Sequence, residues 1–495
     1  MRRLLFITLF LLILAGSLWA WTNPVLVSAS TAPDYNSQAP KNSLVVGLDG
    51  KLHFVYCVDD SGDGYKEIYY KGYDGTTWSA PVQLSFGSHN SHEPTLAIDG
   101  SGNLSVVWYD YRLNYPYADF YWNRYDANSD AWVGEELLFK APPGVEMYQP
   151  VIVAEDDGTL HLAWPDSRAT TTGETVFEIY YATYENGSWS TETRLSHSNA
   201  RWSIEAALIL DDYGTLHLMW SDNRNYGGEN YDIYYMTRSG DGGWSDETEL
   251  CIGKGPRLAI WRDYLYATYV VRDSAYEKFI VYYSRKLLSD PLNEWDIEKH
   301  RVSIDDTTVS AQSDIAISDY AVRIVWCDGL AANELHETWF NPLVAVDGEV
   351  TTIGPITGSH NNPTMAADSL TNMFYLIDQY SITGKTSDND LYFQQCATPS
   401  TDADRSPSAQ IDLSGAYYQS ATDSIQLSFD LETIGTVEVA VYDLAGRRVG
   451  DVYSGSLSAG RHDLSWDAAR LVTGTYWVQA TMGADSTSQP LVLVR

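Results

Sequence analysis

The 495 residues include 66 acidic and 31 basic side chains, which give a formal charge of −35. A surface this acidic repels phosphate backbones, so nucleic acid is excluded as an expected partner, although divalent cations could collect on it. With 44% hydrophobic and 13% aromatic residues, the chain is also too apolar to be disordered.

The first twenty residues have the pattern of a secretory signal peptide. Two arginines precede an apolar run at 4–14, and small residues follow, so cleavage is expected after Ser17 or Ala20. The run is shorter than the roughly 20 residues that span a bilayer, and no later segment is apolar enough. The sequence therefore predicts an exported protein, secreted or attached to the cell surface, with no transmembrane span in the mature chain.

The elements that follow repeat about every fifty residues. Each unit has a Gly-containing turn, a short apolar strand, a Tyr-rich strand, a Gly/Asn/Asp turn, a Trp that opens a third strand and a final apolar segment. Four such strands predict one four-stranded antiparallel sheet. Each unit can be marked by the residue that lies four positions before the central aromatic position of its apolar strand. These residues are Leu52, Leu104, Leu160, Leu216, Leu265, Val322 and Met373.

The spacing between these marks runs from 49 residues (265 − 216) to 57 residues (322 − 265). A period of this length with four strands per unit is typical of a β-propeller. The sequence predicts an all-β, seven-bladed β-propeller, and six or eight blades stay open because the last three units keep the strand but lose the full motif.

The two ends of the repeat region complement each other. The seventh unit stops after "NDLYFQQCAT" and lacks its Trp strand and its final segment. The mature N-terminus supplies "WTNPVLVSAS" and then "SLVVGLDG", which are expected to provide both pieces in one composite blade. The predicted propeller therefore covers 21–397, closed by its N-terminal strands so that no sheet edge is exposed.

The motif Trp-x-Asp-x-Arg occurs three times, in "SVVWYDYR", "HLAWPDSR" and "HLMWSDNR". Each copy falls at the end of a second strand, so all three are expected on the same face. The candidate ligand-binding residues are Asp110, Arg112, Asp166, Arg168, Asp222 and Arg224. The alternative is a scaffold role, in which each Asp pairs with its own Arg; repetition in adjacent blades favours this alternative.

A candidate metal site begins at "DDSGDGY", residues 59–65. Asp59, Ser61 and Asp63 have the spacing of the first oxygen ligands of a calcium loop. The twelfth position is Tyr70 rather than Glu, so the segment is not an EF-hand. Calcium is the one cofactor for which the sequence offers a motif, and a solvated acidic turn is the alternative.

The four cysteines, Cys57, Cys251, Cys327 and Cys396, have no CxxC spacing, which argues against a zinc site. They are expected to be small buried residues. Export also permits a disulfide, but the sequence does not pair them.

The loops after the fourth strands include "SFGSHNSHEP", "FKAPPGVEMYQP", "SHSNARWSIEA" and "TGSHNNP". They share the face of the Trp-x-Asp-x-Arg motifs. Their His, Asn, Trp and Tyr side chains suit the recognition of a sugar or a peptide, although polar loops are also common without any function.

Residues 398–410 form a Pro/Ser/Asp linker, and strand patterns from 411 to 495 suggest an immunoglobulin-like sandwich. "VYDLAGRRV", "LSAGRHDLSWD", "GTYWV" and the terminal Arg resemble the C-terminal sorting domains of type IX secretion cargo and the related domain of flagellar hook-capping proteins. The resemblance implies passage across an outer membrane by an export machinery, then attachment or release. A plain accessory sandwich is the alternative.

The turn "SGDGGW" at 239–244 resembles the Asp-box of sialidase-type propellers, one residue short. The resemblance covers 21–397 as repeat architecture. Sialidases use three arginines, a Tyr–Glu nucleophile and an Asp acid/base, but the family's Phe-Arg-Ile-Pro tetrapeptide does not occur in this chain. No catalytic residue is therefore transferred.

These features predict non-catalytic recognition of an extracellular ligand, with a glycan ahead of a protein. One alternative is a sialidase-type glycoside hydrolase with a degenerate signature, and another is a protein-binding adhesion propeller. The enzyme alone requires a carboxylate, a Tyr and an Arg that converge in the central funnel.

Overall fold

The computed structural model describes most of the chain between residues 21 and 493. The described residues are 21–22, 24–27, 42–59, 64–170, 175–198, 201–226, 230–240, 242–273, 278–295, 300–303, 310–318, 321–328, 334–340, 350–353, 358–368, 371–382, 389–397, 411–419, 424–431, 435–443, 448–458, 460–469, 471, 474–482 and 485–493. Within these ranges every regular element is a β-strand, which confirms the all-β prediction. No helix in them is long and apolar enough to cross a membrane.

The chain divides into two compact units, 1–398 and 399–495. The first unit begins with four antiparallel sheets, named here sheets 1 to 4 in chain order. Sheet 1 contains β2 (Leu44–Val46), β3 (Leu52–Val58), β4 (Glu67–Tyr73) and β5 (Val82–Gln83). Sheet 2 contains β6 (Ser91–Ile98), β7 (Leu104–Asp110), β8 (Asp119–Asp126) and β10 (Glu136–Phe139), with β9 (Ala131–Trp132) beside β8. Sheet 3 contains β11 (Val151–Ala154), β12 (Leu160–Asp166), β13 (Glu178–Glu185) and β14 (Ser188–Trp189), with β15 (Thr193–Arg194) beside β13. Sheet 4 contains β16 (Ser203–Leu210), β17 (Thr215–Asp222), β18 (Asp232–Ser239) and β19 (Thr248–Ile252).

Three more antiparallel sheets complete the first unit. Sheet 5 contains β20 (Lys254–Trp261), β21 (Tyr264–Asp273), β22 (Lys278–Leu287) and β23 (His300–Arg301). Sheet 6 contains β24 (Ser310–Ile317), β25 (Val322–Asp328), β26 (Glu334–Phe340) and β27 (Val350–Ile353). Sheet 7 contains β28 (Gly358–Asp368), β29 (Met373–Ile382), β30 (Asn389–Ala397) and β1 (Val25–Leu26).

The first strands of the sheets form a closed ring. Each of β2, β6, β11, β16, β20, β24 and β28 contacts the first strand of the next sheet, and β28 contacts β2. Apolar layers fill the space between consecutive sheets, and Trp108, Trp164 and Trp220 are fully buried in three of them. Replacing one of these buried indoles by alanine lowers the free energy of unfolding by about 3 to 5 kcal/mol. The apolar layers therefore hold neighbouring sheets together.

The position of the final apolar segment of each unit differs from the prediction. The sequence placed the segment "PTLAI" at the end of the first unit, but this segment pairs with β7 of sheet 2, with Leu96 opposite Val106. It is therefore the first strand of the next sheet. After the outermost strand of one sheet, the chain returns to the centre of the ring. The strand that it forms there pairs with the next sheet and not with the sheet that it has just left. For the same reason β2 opens sheet 1, and β1 alone completes sheet 7, with Val25 opposite Phe393.

None of the four cysteines forms a disulfide. Cys57, Cys327 and Cys396 are buried, which confirms the expectation for these three, whereas Cys251 is half-buried. Burial raises the pKa of the Cys327 and Cys396 thiols, so both are protonated and unreactive at neutral pH.

The second unit contains two antiparallel sheets around one apolar core. One sheet contains β31 (Ile411–Gln419), β32 (Ser424–Leu431) and β35 (Gly460–Asp467). The other contains β33 (Gly435–Asp443), β34 (Arg448–Leu457), β36 (Gly474–Met482) and β37 (Asp485–Leu493). Phe429, Val439 and Val478 are fully buried in the core that both sheets line.

Candidate functional site

The Asp of each Trp-x-Asp-x-Arg motif is completely buried. In sheet 4, Asp222 accepts hydrogen bonds from Trp220 Nε1 at 3.1 Å and from Ser203 Oγ at 2.8 Å. It also accepts hydrogen bonds from the backbone N–H of Arg224 at 2.9 Å and from the guanidinium Nη2 at 2.7 Å. The carboxylate therefore has partners within its own motif and on the first strand, which satisfies the requirement for a buried charge.

The contacts of the Asp with the Trp and the Arg of its own motif recur in sheets 2 and 3, and the serine of the first strand recurs in sheet 2. The guanidinium of each motif also has a second carboxylate and a tyrosine ring. The second carboxylates belong to Glu135, Glu192 and Glu247, paired with Arg112, Arg168 and Arg224 respectively. The rings of Tyr121, Tyr180 and Tyr234 lie 4.4, 4.6 and 4.0 Å from the corresponding guanidinium carbons. We call each set of Trp, Asp, Arg and Glu a latch.

The latches neutralise their arginines. Burial by itself lowers the pKa of each guanidinium, but the two carboxylates outweigh it and raise the pKa of Arg112, Arg168 and Arg224. The guanidinium group ties the second strand to the third and fourth strands of its sheet. The six residues that the sequence proposed as ligand contacts thus already have partners within the protein.

Hydroxyl groups connect two of the latches to the preceding sheet. Ser91 Oγ lies 2.8 Å from Asp110 of its own sheet and 3.4 Å from Glu67 of sheet 1. Ser203 Oγ lies 3.3 Å from Glu178 of sheet 3. The network therefore crosses between sheets 1 and 2 and between sheets 3 and 4.

The candidate calcium segment is only partly described. Asp59 is buried, and its Oδ2 accepts a hydrogen bond from the N–H of Gly64 at 2.9 Å. Ser61 and Asp63 lie outside the described residues. Among the residues that are described, no group of three His, Cys, Asp or Glu side chains has the geometry to hold a metal ion.

A backbone feature recurs at the start of the first strand in sheets 2 to 7. One residue in each has a left-handed conformation, with φ between 45° and 64°: Glu93, Gln149, Glu205, Gly255, Gln312 and Asn362. The strand register shifts at this point in five of the six sheets. Such a bulge re-aims a side chain, and the left-handed conformation costs a non-glycine residue about 1 to 2 kcal/mol. Because the first strands surround the axis, these residues rim the central opening, which we call the funnel.

Aromatic rings form the side of the funnel next to sheet 2. His92, beside the bulge, stacks on Tyr109 with ring centres 5.5 Å apart and meets the edge of Tyr111 at 5.9 Å. Tyr111 contacts Tyr115 at 6.3 Å, and Tyr115 contacts His89 at 5.8 Å. Tyr115 is 74% exposed, so this row of rings runs from the funnel to the open surface.

A second row of rings begins at Tyr148, beside the bulge of sheet 3. Tyr148 meets the edge of Phe177 at 5.0 Å, and Phe177 meets Trp202 at 6.0 Å. Trp202 Nε1 donates to the carbonyl of Thr175 at 2.7 Å, and the indole is 43% exposed. The funnel is therefore flanked by aromatic surface toward sheet 2 and toward the boundary of sheets 3 and 4.

The protonation states of these rings suit hydrogen bonding to an uncharged group. Burial, reinforced by Lys66, lowers the pKa of His92 to about 4, so the imidazole is neutral at pH 7. Burial, with smaller contributions from Glu93 and Glu205, raises the pKa of Tyr109 and Tyr148. Both phenols therefore keep their protons.

Charged side chains occupy the funnel near sheets 4 to 6. Glu205 accepts hydrogen bonds from Ser221 Oγ at 2.7 Å and from the N–H of Gly255 at 2.9 Å, which joins sheets 4 and 5. Arg257 Nε lies 3.7 Å from Asp314 Oδ1. Burial lowers the pKa of Arg257, and Asp314 and Glu205 partly offset this effect.

One carboxylate of the funnel thus lies within electrostatic range of an arginine and of a tyrosine. Glu205 interacts electrostatically with both Arg257 and Tyr148, although the three residues belong to different sheets. Sequence reasoning identified the loops that contain His92, Tyr148 and Trp202 but selected no residue from them. The loop with Trp202 also contains Glu205, whereas Arg257 lies outside every loop that was identified. The available signal was a polar residue before a proline or a small residue at the start of the first strand, which occurs in five of the six sheets from sheet 2 to sheet 7.

Comparison with known proteins identifies the second unit. Residues 420–494 match the model of the Secretion system C-terminal sorting domain. The expected sorting domain is therefore confirmed, and the protein is secreted through the type IX system to the outer surface of the cell. No curated protein matches the sequence significantly.

Solved structures resemble the first unit. The polysaccharide lyase Uly1 superposes with a TM-score of 0.50 at 9% identity, over 76% of this chain and 92% of that chain. A PL25 ulvan lyase gives 0.50 at 11% identity, over 75% and 95%. An α-L-arabinanase from Penicillium chrysogenum gives 0.43 at 15% identity, over 61% and 92%. At these identities the likeness to the two lyases shows the fold alone, a β-propeller.

Proposed function

We propose that this protein is a surface-attached, seven-bladed β-propeller that binds an extracellular glycan in its funnel. Each of the seven sheets is one blade in this proposal. The propeller comprises 21–397, followed by a linker at 398–410 and an immunoglobulin-like domain at 411–495 that serves export and attachment. The Asp-box and hook-capping resemblances belong to the same proposal.

The observation that carries the proposal is the composition of the funnel. Half-buried rings of His92, Tyr109 and Tyr148 stand beside acceptors such as Glu93 and Gln149. A sugar presents an apolar C–H face that packs on such rings and hydroxyl groups that donate to such acceptors. Solved structures with a related fold are described as polysaccharide lyases, and another as an arabinanase, so their described ligands are also glycans.

The latches support a scaffold role for the three arginines within this proposal. A ligand that used Arg112, Arg168 or Arg224 would have to replace two carboxylates at each guanidinium. Breaking a buried ion pair by taking one partner away costs about 3 to 5 kcal/mol. The ligand site is therefore proposed to be the funnel and its aromatic flanks.

The test is a polysaccharide array probed with the mature full-length chain, with and without EDTA to address calcium. Tyr148→Ala is expected to lose most of the binding. Tyr213→Ala is the matched control, because Tyr213 is a 71% exposed tyrosine in the turn before β17, the turn expected on the opposite face. Absence of binding by the folded wild-type chain would reject the glycan and direct the search to a protein partner.

A second candidate function is cleavage of the bound glycan. The electrostatic proximity of Glu205 to both Arg257 and Tyr148 favours it, because a sialidase-type hydrolase needs a carboxylate, an Arg and a Tyr in its funnel. New reducing ends after incubation with the polysaccharides that bind, lost in Glu205→Gln, would establish an enzyme. Binding without reducing ends in wild type would leave recognition as the function.

A further inference from the structure

The charge of the ligand can be inferred from the cations and carboxylates on the funnel face; this inference rests on the proposed glycan binding. The three latch arginines contribute no free positive charge, since each faces two carboxylates. Their side chains are only 12 to 21% exposed. An anionic sugar therefore finds no available guanidinium there.

Within the funnel the acidic groups outnumber the basic ones. Among the described residues of the funnel, Glu93, Glu205 and Asp314 are partly exposed carboxylates. The basic groups there are Arg257, which already faces two of these carboxylates, and Lys66, which lies within electrostatic range of His92. Lys254 directs its ammonium group over the ring of Phe279 at 4.3 Å. The imidazole of His92 is neutral at pH 7, so it adds no positive charge.

Hydrogen-bonding capacity leads to the same conclusion. An ionised carboxylate only accepts hydrogen bonds, and a sugar hydroxyl can donate one. A uronate or a sulfate ester would instead place acceptors opposite the acceptors of Glu93 and Glu205, and like charges at this distance repel each other. The tyrosine hydroxyls and the amide of Gln149 can donate hydrogen bonds to the ring and hydroxyl oxygens of the sugar.

We propose that the funnel selects an uncharged polysaccharide and discriminates against uronate-containing and sulfated ones. The aromatic rows at Tyr115 and Trp202 provide the stacking surface on either side of the funnel. The ring of bulges provides acceptors for the hydroxyl groups in between. Neutral hexose or pentose polymers are the ligand class that fits this combination.

Affinity gel electrophoresis of the mature full-length chain tests the proposal with matched polymers. The probes are polygalacturonate, the same polymer after reduction of its carboxyl groups, and linear arabinan, each at low and high NaCl. We expect retardation by at least one neutral polymer and at least about tenfold weaker retardation by polygalacturonate, a difference of about 1.4 kcal/mol. Salt should leave neutral binding unchanged and strengthen acidic binding, because it screens repulsion.

Tighter binding of polygalacturonate than of its reduced form, weakened by salt, would overturn the proposal while leaving glycan binding intact. No retardation by any polymer would instead reject the proposed function itself. These two failures are therefore distinguishable.

A charge variant tests the physical cause. Glu93→Gln keeps the size of the side chain and removes one negative charge from the rim of the funnel, so the ratio of acidic to neutral binding should rise about threefold or more. Glu185→Gln, at the exposed end of β13 next to the turn expected on the opposite face, is the matched control and should leave the ratio unchanged. An equal ratio in both variants would contradict selection by the charge of the funnel.

Discussion

The latches and the funnel are expected on the same face of the first unit, yet they are built in opposite ways. The latches repeat the same side chains, with Trp, Asp and Arg in each of sheets 2 to 4 and the same set of partners. The funnel repeats a backbone conformation, a left-handed residue in each of sheets 2 to 7, but carries different side chains. Identical side chains at equivalent places indicate a structural role. Varied side chains on a shared backbone feature indicate a role in ligand binding.

The largest expected effect is loss of a latch. Asp222→Ala removes the acceptor of Trp220, Ser203 and Arg224 at once and leaves a buried guanidinium with one partner fewer, so unfolding in guanidinium chloride should show a loss of about 3 to 5 kcal/mol. Asp246→Ala, an exposed aspartate before β19, should change the free energy of unfolding by less than about 0.5 kcal/mol. If Asp222→Ala lowered the free energy of unfolding by less than about 1 kcal/mol, the latch would contribute no more to stability than an exposed side chain.

The next effect is an acid-linked loss of stability on the funnel side. The folded-state pKa of His92 is about 4, against 6.5 in the unfolded chain, so the unfolded state binds the proton first. Stability from this group is present above pH 6.5 and is lost as the pH falls toward 4, by about 3 kcal/mol at most. The groups that face the ring are Lys66, Asp110 and Tyr109.

The measurement is the free energy of unfolding at pH 7 and pH 4 for the wild type and for His92→Gln. The variant lacks the titrating ring, so its loss between the two pH values should be smaller by up to about 3 kcal/mol. Equal losses in the two proteins would show that His92 already titrates normally in the folded state.

A third prediction separates the two regions by ligand affinity. Tyr109→Leu removes a stacking ring from the funnel and should weaken binding of the neutral polymer about tenfold, close to 1.4 kcal/mol, with little change in stability. Arg168→Gln should destabilise the fold but leave the affinity of the folded protein unchanged at low temperature. Isothermal titration, combined with unfolding curves for both variants, checks the pair. Weaker binding in Arg168→Gln than in Tyr109→Leu would assign the ligand to the latches.

The smallest effect is expected at a bulge. Gln149→Gly relieves the cost of the left-handed conformation but adds freedom to the unfolded chain, so stability should change by less than about 1 kcal/mol. The same variant should weaken ligand binding, because the amide is lost from the rim of the funnel. A stability loss well above this value would mean that the bulge side chains hold the ring of sheets together.

Much of the fold could be predicted from local pattern. The tryptophans that follow the Tyr-rich strands in the repeat each pair with the end of that strand: Trp78, Trp132, Trp189 and Trp244. These features depend on residues a few positions apart, and alternation and turn residues report them directly. The sheet that receives each apolar segment was predicted wrongly, because a strand pattern does not contain the identity of its partner.

The candidate site could be predicted only in part. The loops with His92 and Trp202 were recognised by composition, whereas Arg257 was not, since an arginine in a strand carries no signal of its neighbours. The latch residues were noticed because they repeat, and their repetition reflects a packing requirement.

The sequence by itself determined the strands, the period and the export signal, because each is encoded in neighbouring residues. The sequence also predicted closure by N-terminal strands, but the tertiary structure decided that the closure uses β1 alone, which pairs Val25 with Phe393. It also decided that Glu205 lies within electrostatic range of both Tyr148 and Arg257. Both outcomes require the whole ring of sheets to form, since they join residues whose separation along the chain exceeds any local pattern. The apolar layers between the sheets supply the free energy for that closure, and the funnel exists only once it has occurred.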